Sequence, residues 1–258
     1  MELPADVARL LDRLRDALLA RGDMVGLYLY GSLTTGDFSP TGSDIDVVVM
    51  VQREPDETAI GELRQLHATL LADSGEGARR LHCLYVSVPT AADPEPLRTY
   101  WYGDRMTQWQ MKVLTQAELM AAGVALSGPW PPPGIKPVPT PDLQAAVHRE
   151  ISGYWRRLAR QRRCWWHDSW VTFGLTVLPR TEAVLATGDL ITKGEAISRL
   201  ADFGVPAALA QQIRRRRDGE TVPLSPVQRL RRAHLTRQIM RRGVQRLSRL
   251  VPPQGAPT

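Results

Sequence analysis

Leu29-Tyr30-Gly31-Ser32 and, eleven positions beyond that serine, Ser43-Asp44-Ile45-Asp46-Val47-Val48-Val49 decide how this chain is read. Residues 24–30 are apolar and β-rich and stop at Gly31-Ser32, the pattern of a strand entering a tight turn. Residues 44–51 form a second strand, separated from the first by the polar segment 34–43. Alternate residues of a strand share a face, so Asp44 and Asp46 project together while Ile45, Val47 and Val49 turn the other way, into a core. Two parallel carboxylates repel unless a cation lies between them. Hard oxygen donors of this kind suit Mg²⁺, which takes one or two carboxylates and completes its shell with substrate phosphates. Gly31 permits close backbone approach, and Ser32 offers a hydroxyl and an N–H where a phosphate could rest.

Working outward, residues 4–20 carry Leu and Val at helical spacing, as do residues 57–72, and residues 81–88 read as a third strand. Strand, strand, helix, strand predicts an α/β domain, a mixed sheet with flanking helices. Residues 89–104, with prolines and aromatics, predict a loop over the sheet, and residues 106–122 a helix. Seven prolines fall within 129–141, a density no helix or central strand survives, so this segment predicts a linker. Beyond it, 142–160, 168–186, 192–202, 206–217 and 226–250 read as helices, which makes the second domain an all-α bundle. Domains are thus expected at 1–128 and 142–258, with residues 252–258 a frayed tail.

The 258 residues allow one large or two modest domains, and 43% hydrophobic content suits a globular chain. The longest aliphatic run is 47–51, far short of a membrane span. The N-terminus lacks a signal-peptide pattern, and two cysteines make neither a disulfide framework nor a zinc cage. The expectation is a cytoplasmic protein that does not contact a membrane. Charge divides unevenly: residues 1–128 hold 11 Lys and Arg against 18 Asp and Glu, net −7, leaving 22 against 9, net +13, for residues 129–258. Only three of the basic residues are lysines, a bias that a GC-rich genome also produces.

Gly31-Ser32 followed by Asp44-x-Asp46 resembles the signature of the nucleotidyltransferase superfamily whose type member is DNA polymerase beta. There the paired aspartates bind Mg²⁺ and the Gly-Ser turn holds a triphosphate. The resemblance extends to aminoglycoside adenylyltransferases of the streptomycin/spectinomycin class, which join a nucleotidyltransferase domain to a helical bundle with the site between them. Residues 124–129 resemble the end of that family's first domain. Thr187-Gly188-Asp189-Leu190-Ile191-Thr192-Lys193 resembles its segment carrying a phosphate-binding lysine. The resemblance implies Asp44 and Asp46 as catalytic metal ligands, Gly31, Ser32, Ser43 and Lys193 as nucleotide ligands, and ATP as co-substrate. Trp166 and Asp168 then correspond to the aromatic and acid that hold streptomycin. The family's catalytic glutamate would fall on 81–88, which contains no acid. Leu81, Cys83, Tyr85 and Ser87 share one face of that strand, and His82, Leu84, Val86 and Val88 the other. The second set is the more apolar, which predicts that it meets the core and that Cys83 stands beside Asp44 and Asp46.

The expected activity is Mg²⁺-dependent transfer of AMP from ATP to a hydroxyl of a small acceptor, an aminoglycoside for instance. The alternatives are transfer to RNA or protein, or an impaired relative that binds a nucleotide or partner. The arginines of 214–217 and 229–249 interleave with Leu230, Leu235, Ile239 and Val244, so they read as a solvated face, with phosphate tracking on nucleic acid as the rival reading. Trp165, Trp166 and Trp170, like Trp101, Tyr102 and Trp109, read first as packing residues.

Overall fold

The computed structural model describes residues 3–93 and 96–250, with Glu76 lacking a described side chain. The chain divides into two compact units, Met1–Val138 and Pro139–Thr258. In the first, α1 (Ala5–Arg21), β1 (Met24–Tyr30), β2 (Ile45–Val51), α2 (Glu57–Ser74), α3 (Glu76–Arg79), β3 (Leu81–Ser87), β4 (Leu97–Tyr102), β5 (Arg105–Gln110), α4 (Val113–Ala122) and β6 (Val124–Ser127) follow one another. The six strands form one sheet in the order β5-β4-β3-β2-β1-β6. Only the β2–β3 pair is parallel, joined through α2.

Helical spacing puts Val7, Leu10, Leu11, Leu14 and Leu18 of α1 on one stripe, and all five are buried. They pack with Leu63 and Leu70 of α2 on the back of the sheet, against Ile45, Val47, Val49, Cys83 and Tyr85. On the front, Val48, Met50, Leu84 and Val86 are covered by Met111, Leu119 of α4, and Ile135. Both faces are therefore apolar over much of their length, as parallel-paired strands in a covered sheet usually are.

Residues 97–110 correct the sequence reading. They form the hairpin β4–β5, turning at Gly103 (φ 66°), where a loop and the start of a helix were expected. Aromatic side chains occupy both faces of β4, so the strand lacks the apolar–polar alternation that would reveal it. The proline-rich run packs as part of the first unit rather than hanging free: the Tyr28 hydroxyl donates to the Pro129 carbonyl at 2.7 Å, Gln116 donates to the Lys136 carbonyl at 2.8 Å, and Ile135 is buried.

The second unit is helical. Helix α5 (Thr140–Glu150) continues through a π-helical turn, Ile151–Trp155, into α6 (Arg156–Leu158); then come α7 (Asp168–Thr187), α8 (Lys193–Ser198), α9 (Ala207–Arg217) and α10 (Pro226–Leu247). Capping boxes start α8 at Thr192 with Glu195, and α10 at Ser225 with Gln228. Trp155, Trp165, Val171, Leu175, Leu178, Met240 and Val244 build its core. The expected tail at 252–258 lies outside the described residues. No described helix is long and apolar enough to cross a membrane.

Candidate active site

The paired registers of the strands line up one row of side chains across the front of the sheet. Tyr30 lies opposite Asp46, Asp46 opposite His82, His82 opposite Tyr102, and Tyr102 opposite Arg105. Asp44, two residues before Asp46, shares this face. A carboxylate pair is thus followed, strand by strand, by an imidazole, a phenol ring and a guanidinium.

At the carboxylates the backbone comes close. Gly31 holds φ at 77°, and a Cβ there would lie 2.9 Å from Asp46 Oδ2, so only glycine suits the turn that ends β1. The 3₁₀ turn Gly31–Leu33 is tied by Thr34 and Thr35, whose hydroxyls donate to the Gly31 carbonyl at 3.0 and 3.2 Å. Ser43 is buried, and its hydroxyl accepts from the Ser39 N–H at 2.9 Å, closing the segment that delivers Asp44. Its described bond positions the motif.

His82 replaces Cys83 at the carboxylates. Its Nδ1 lies 3.4 Å from Asp46 Oδ1 and its Nε2 3.7 Å from Asp44 Oδ1, with the ring 12% exposed. Cys83 points the other way, into the core behind the sheet, where burial pushes its thiol up to about 12. The expectation failed because it chose the face by apolarity, and both faces are apolar where helices cover them. Parallel registry with Asp46 was the deciding quantity, and it is invisible within one strand. Nearby, burial and then the Asp46 charge hold the Tyr30 phenol well above its usual range, and Tyr100 is raised by burial and by both aspartates. Tyr102 stacks on His82, with centroids 4.6 Å apart at 27°.

Asp44 and Asp46 fit a magnesium ion. Both carboxylates reach solvent, at 47% and 26% exposure, from a shared face. Among the described residues no cluster of three or more His, Cys, Asp or Glu could enclose a metal.

The remaining candidates belong to the second unit. Lys193 opens α8 directly after the Thr192 cap and is partly exposed. Asp168 opens α7, and its carboxylate is held by Arg232 and, at 3.2 Å, by Arg216; Arg232 also donates to the Trp166 carbonyl at 3.2 Å. Two guanidiniums on one carboxylate leave this spot net positive, unlike a pocket awaiting a cation. Trp165 is buried in the bundle core and Trp166 is 39% exposed.

The family model for the nucleotidyltransferase domain matches residues 11–86, the span from α1 to β3 that carries Gly31, Ser32, Asp44, Asp46 and His82. The matched segment makes the first unit similar to a nucleotidyltransferase domain. Among solved structures, spectinomycin adenyltransferase AAD(9) from Enterococcus faecialis, crystallised with ATP and spectinomycin, superposes with a TM-score of 0.64 at 13% identity, covering 90% of this chain and 98% of that one. That likeness is one of fold. No curated protein matches the chain in sequence.

Proposed function

We propose that this protein transfers AMP from ATP to a hydroxyl of a small acceptor, with Mg²⁺ held by Asp44 and Asp46. The convergence of these two carboxylates beside the Gly31-Ser32 turn, within the matched domain, carries the reading. Bound there, a magnesium ion supplies charge neutralisation for the phosphates. The residues do the rest by orientation. The Gly31-Ser32 turn offers backbone and hydroxyl donors to the departing phosphates. For the second unit, Lys193 is assigned as a phosphate-binding cation. Cys83 has no part in the reaction.

His82 is the proposed proton acceptor, standing where the resemblance calls for a glutamate. Its ring lies 3.4 Å from Asp46 and 3.7 Å from Asp44, where an imidazole can take the hydroxyl proton as the oxygen attacks. Phosphoryl chemistry is mainly positioning and electrostatics, so a site this small suffices.

The neighbour bound to spectinomycin supports an aminoglycoside of the streptomycin/spectinomycin type as acceptor. The positive surroundings of Asp168 speak against its holding a streptomycin guanidinium. Purified protein with ATP and Mg²⁺ should release pyrophosphate when spectinomycin is added, and the drug should gain the mass of AMP. ATP that neither binds nor turns over, with or without drug, would refute nucleotidyl transfer.

A further inference from the structure

Where α7, α9 and α10 meet, the helical unit gathers more positive charge than it neutralises. Asp168, in the first turn of α7, receives Arg232 of α10 and, at 3.2 Å, Arg216 of α9. The Trp166 carbonyl holds Arg232 further, at 3.2 Å, and the Val222 carbonyl holds Arg216, at 2.9 Å. Both guanidiniums are therefore fixed in place. Arg229 stands one helical turn before Arg232 on α10, and its charge reaches Arg216. Three guanidiniums thus share one carboxylate. This excess is not spread into solvent: the Arg232 side chain is 4% exposed and that of Arg216 14%. The Arg232 Nε and the Arg216 Nη1 are buried and make no hydrogen bond among the described residues. Burial, and then the charges of Arg232 and Arg229, draw the Arg216 guanidinium below its usual range although Asp168 opposes them. Helix α7 also begins here without a side-chain cap, which adds the positive end of a 20-residue helix. Buried charge left without full compensation is costly, so this corner favours a second anion.

We propose that this corner is a phosphate-binding site, in which the phosphate of a small monoester, or the free ion, lies against Arg216, Arg229 and Arg232. Asp168 stands in for that phosphate when no ligand is bound. A phosphate monoester carries close to two negative charges near neutral pH, which matches the excess of three cations over one acid. Guanidinium forks grip its oxygens in pairs, and a helix N-terminus offers further N–H donors. A nucleic-acid strand, by contrast, is tracked by exposed cations, and Arg232 is not one. The corner also stands apart from Lys193, the cation assigned to the phosphates of ATP. Arg180 Nε donates to the Ile191 carbonyl at 3.2 Å, which sets the Lys193 segment beside Arg180. Arg180 follows Asp168 by twelve residues of α7, about 18 Å of helix axis, farther than a triphosphate tail reaches. The proposal therefore names a second ligand, and it stands whether or not Asp44 and Asp46 transfer AMP.

The test is titration calorimetry and thermal melting of the full chain without ATP or metal. Inorganic phosphate is the probe in one arm and glucose 6-phosphate in the other, with sodium chloride at matched ionic strength as the control. At least one probe should bind saturably and, near a hundredfold excess over its Kd, raise the Tm by about 5 °C beyond chloride. Binding of the free ion alone identifies it as the ligand, and binding of both probes identifies an ester. Arg216→Ala and Arg229→Ala should each weaken phosphate binding about tenfold. Asp168→Asn removes the competing charge, so it should tighten phosphate binding about tenfold, melt lower than the parent without phosphate and recover when phosphate is added. A network that only ties the helices together would lower the Tm in all three variants and leave phosphate affinity where it was, which overturns the proposal. So would the absence of binding by either probe, equal stabilisation by chloride, or a single-stranded oligonucleotide that binds where neither probe does. Phosphate and ATP should bind together; mutual exclusion would return the three arginines to the nucleotide and overturn the second site.

Discussion

Two histidines on opposite faces of one sheet region show how environment divides chemical roles. His82 stacks on Tyr102 at the front, His67 on Trp101 at the back, with centroids 4.6 and 4.7 Å apart. Tyr102 and Trp101 are neighbours on β4, so strand alternation alone sends their partners to different worlds. At the front the imidazole meets two carboxylates and solvent. At the back His67 Nε2 lies 2.7 Å from the Tyr85 hydroxyl, and burial pushes the imidazole down to about 3. One ring stands beside charged groups at the front, while the other, its pKa lowered by burial, fills the core.

The contrast can be broken most severely at the carboxylates that only the front face has. Asp46→Asn should lower transfer by about 10²–10³-fold, the scale of removing one electrostatic stabiliser from a reacting centre, with circular dichroism unchanged. Near wild-type pyrophosphate release from Asp46→Asn or Asp44→Asn would sink the metal assignment.

His82→Gln comes next. It keeps a polar side chain beside Asp46 and removes the proton acceptor, so kcat should fall about 10²-fold, the lower end of what general-base help contributes. ATP affinity should hold. A fall in affinity with kcat preserved would mean that His82 organises the nucleotide and leaves its acceptor-side role empty.

For the back face the readout is stability against pH. The folded His67 pKa lies below the unfolded value of about 6.5, so the unfolded chain takes up the proton first as pH falls. Stability is therefore complete above about pH 6.5 and declines as pH drops toward 3. From pH 7 to 4.5 this one group costs about 2–3 kcal/mol. His67→Phe, which keeps a ring against Trp101, should flatten that decline in urea titrations and leave turnover at pH 7.5 alone. An equally steep decline in the variant would assign the acid sensitivity elsewhere.

The smallest effect is expected at Cys83. Cys83→Ala trims a fully buried side chain and should cost about 1 kcal/mol, while kcat and KM stay put. A large loss of rate would place the thiol at the front, against the registry of β2 and β3.

Local pattern made the first half of the site readable. Asp44 and Asp46 need only strand alternation to share a face, and Gly31 before a polar segment signals its turn by residue type. The α1 stripe and the two capping boxes are equally local, because helix period and cap chemistry span four or five residues. Registry is another matter. His82 reaches the carboxylates because β2 and β3 pair in parallel with Asp46 opposite His82, and that pairing joins residues 36 positions apart. The hairpin β4–β5 was hidden for a similar reason: aromatics on both of its faces serve two different layers, the His67 core behind and the Tyr102 shelf in front. Asp168, matched by resemblance to an acid that holds streptomycin, meets Arg216 and Arg232 only when α7, α9 and α10 come together. From sequence alone, then, the α/β sheet, the helical second unit and the two carboxylates could be placed, since all rest on periodicities of a few residues. Folding chose which ring stands beside those carboxylates, which thiol is silenced and which acid is neutralised, because each depends on contacts that no short stretch of chain contains.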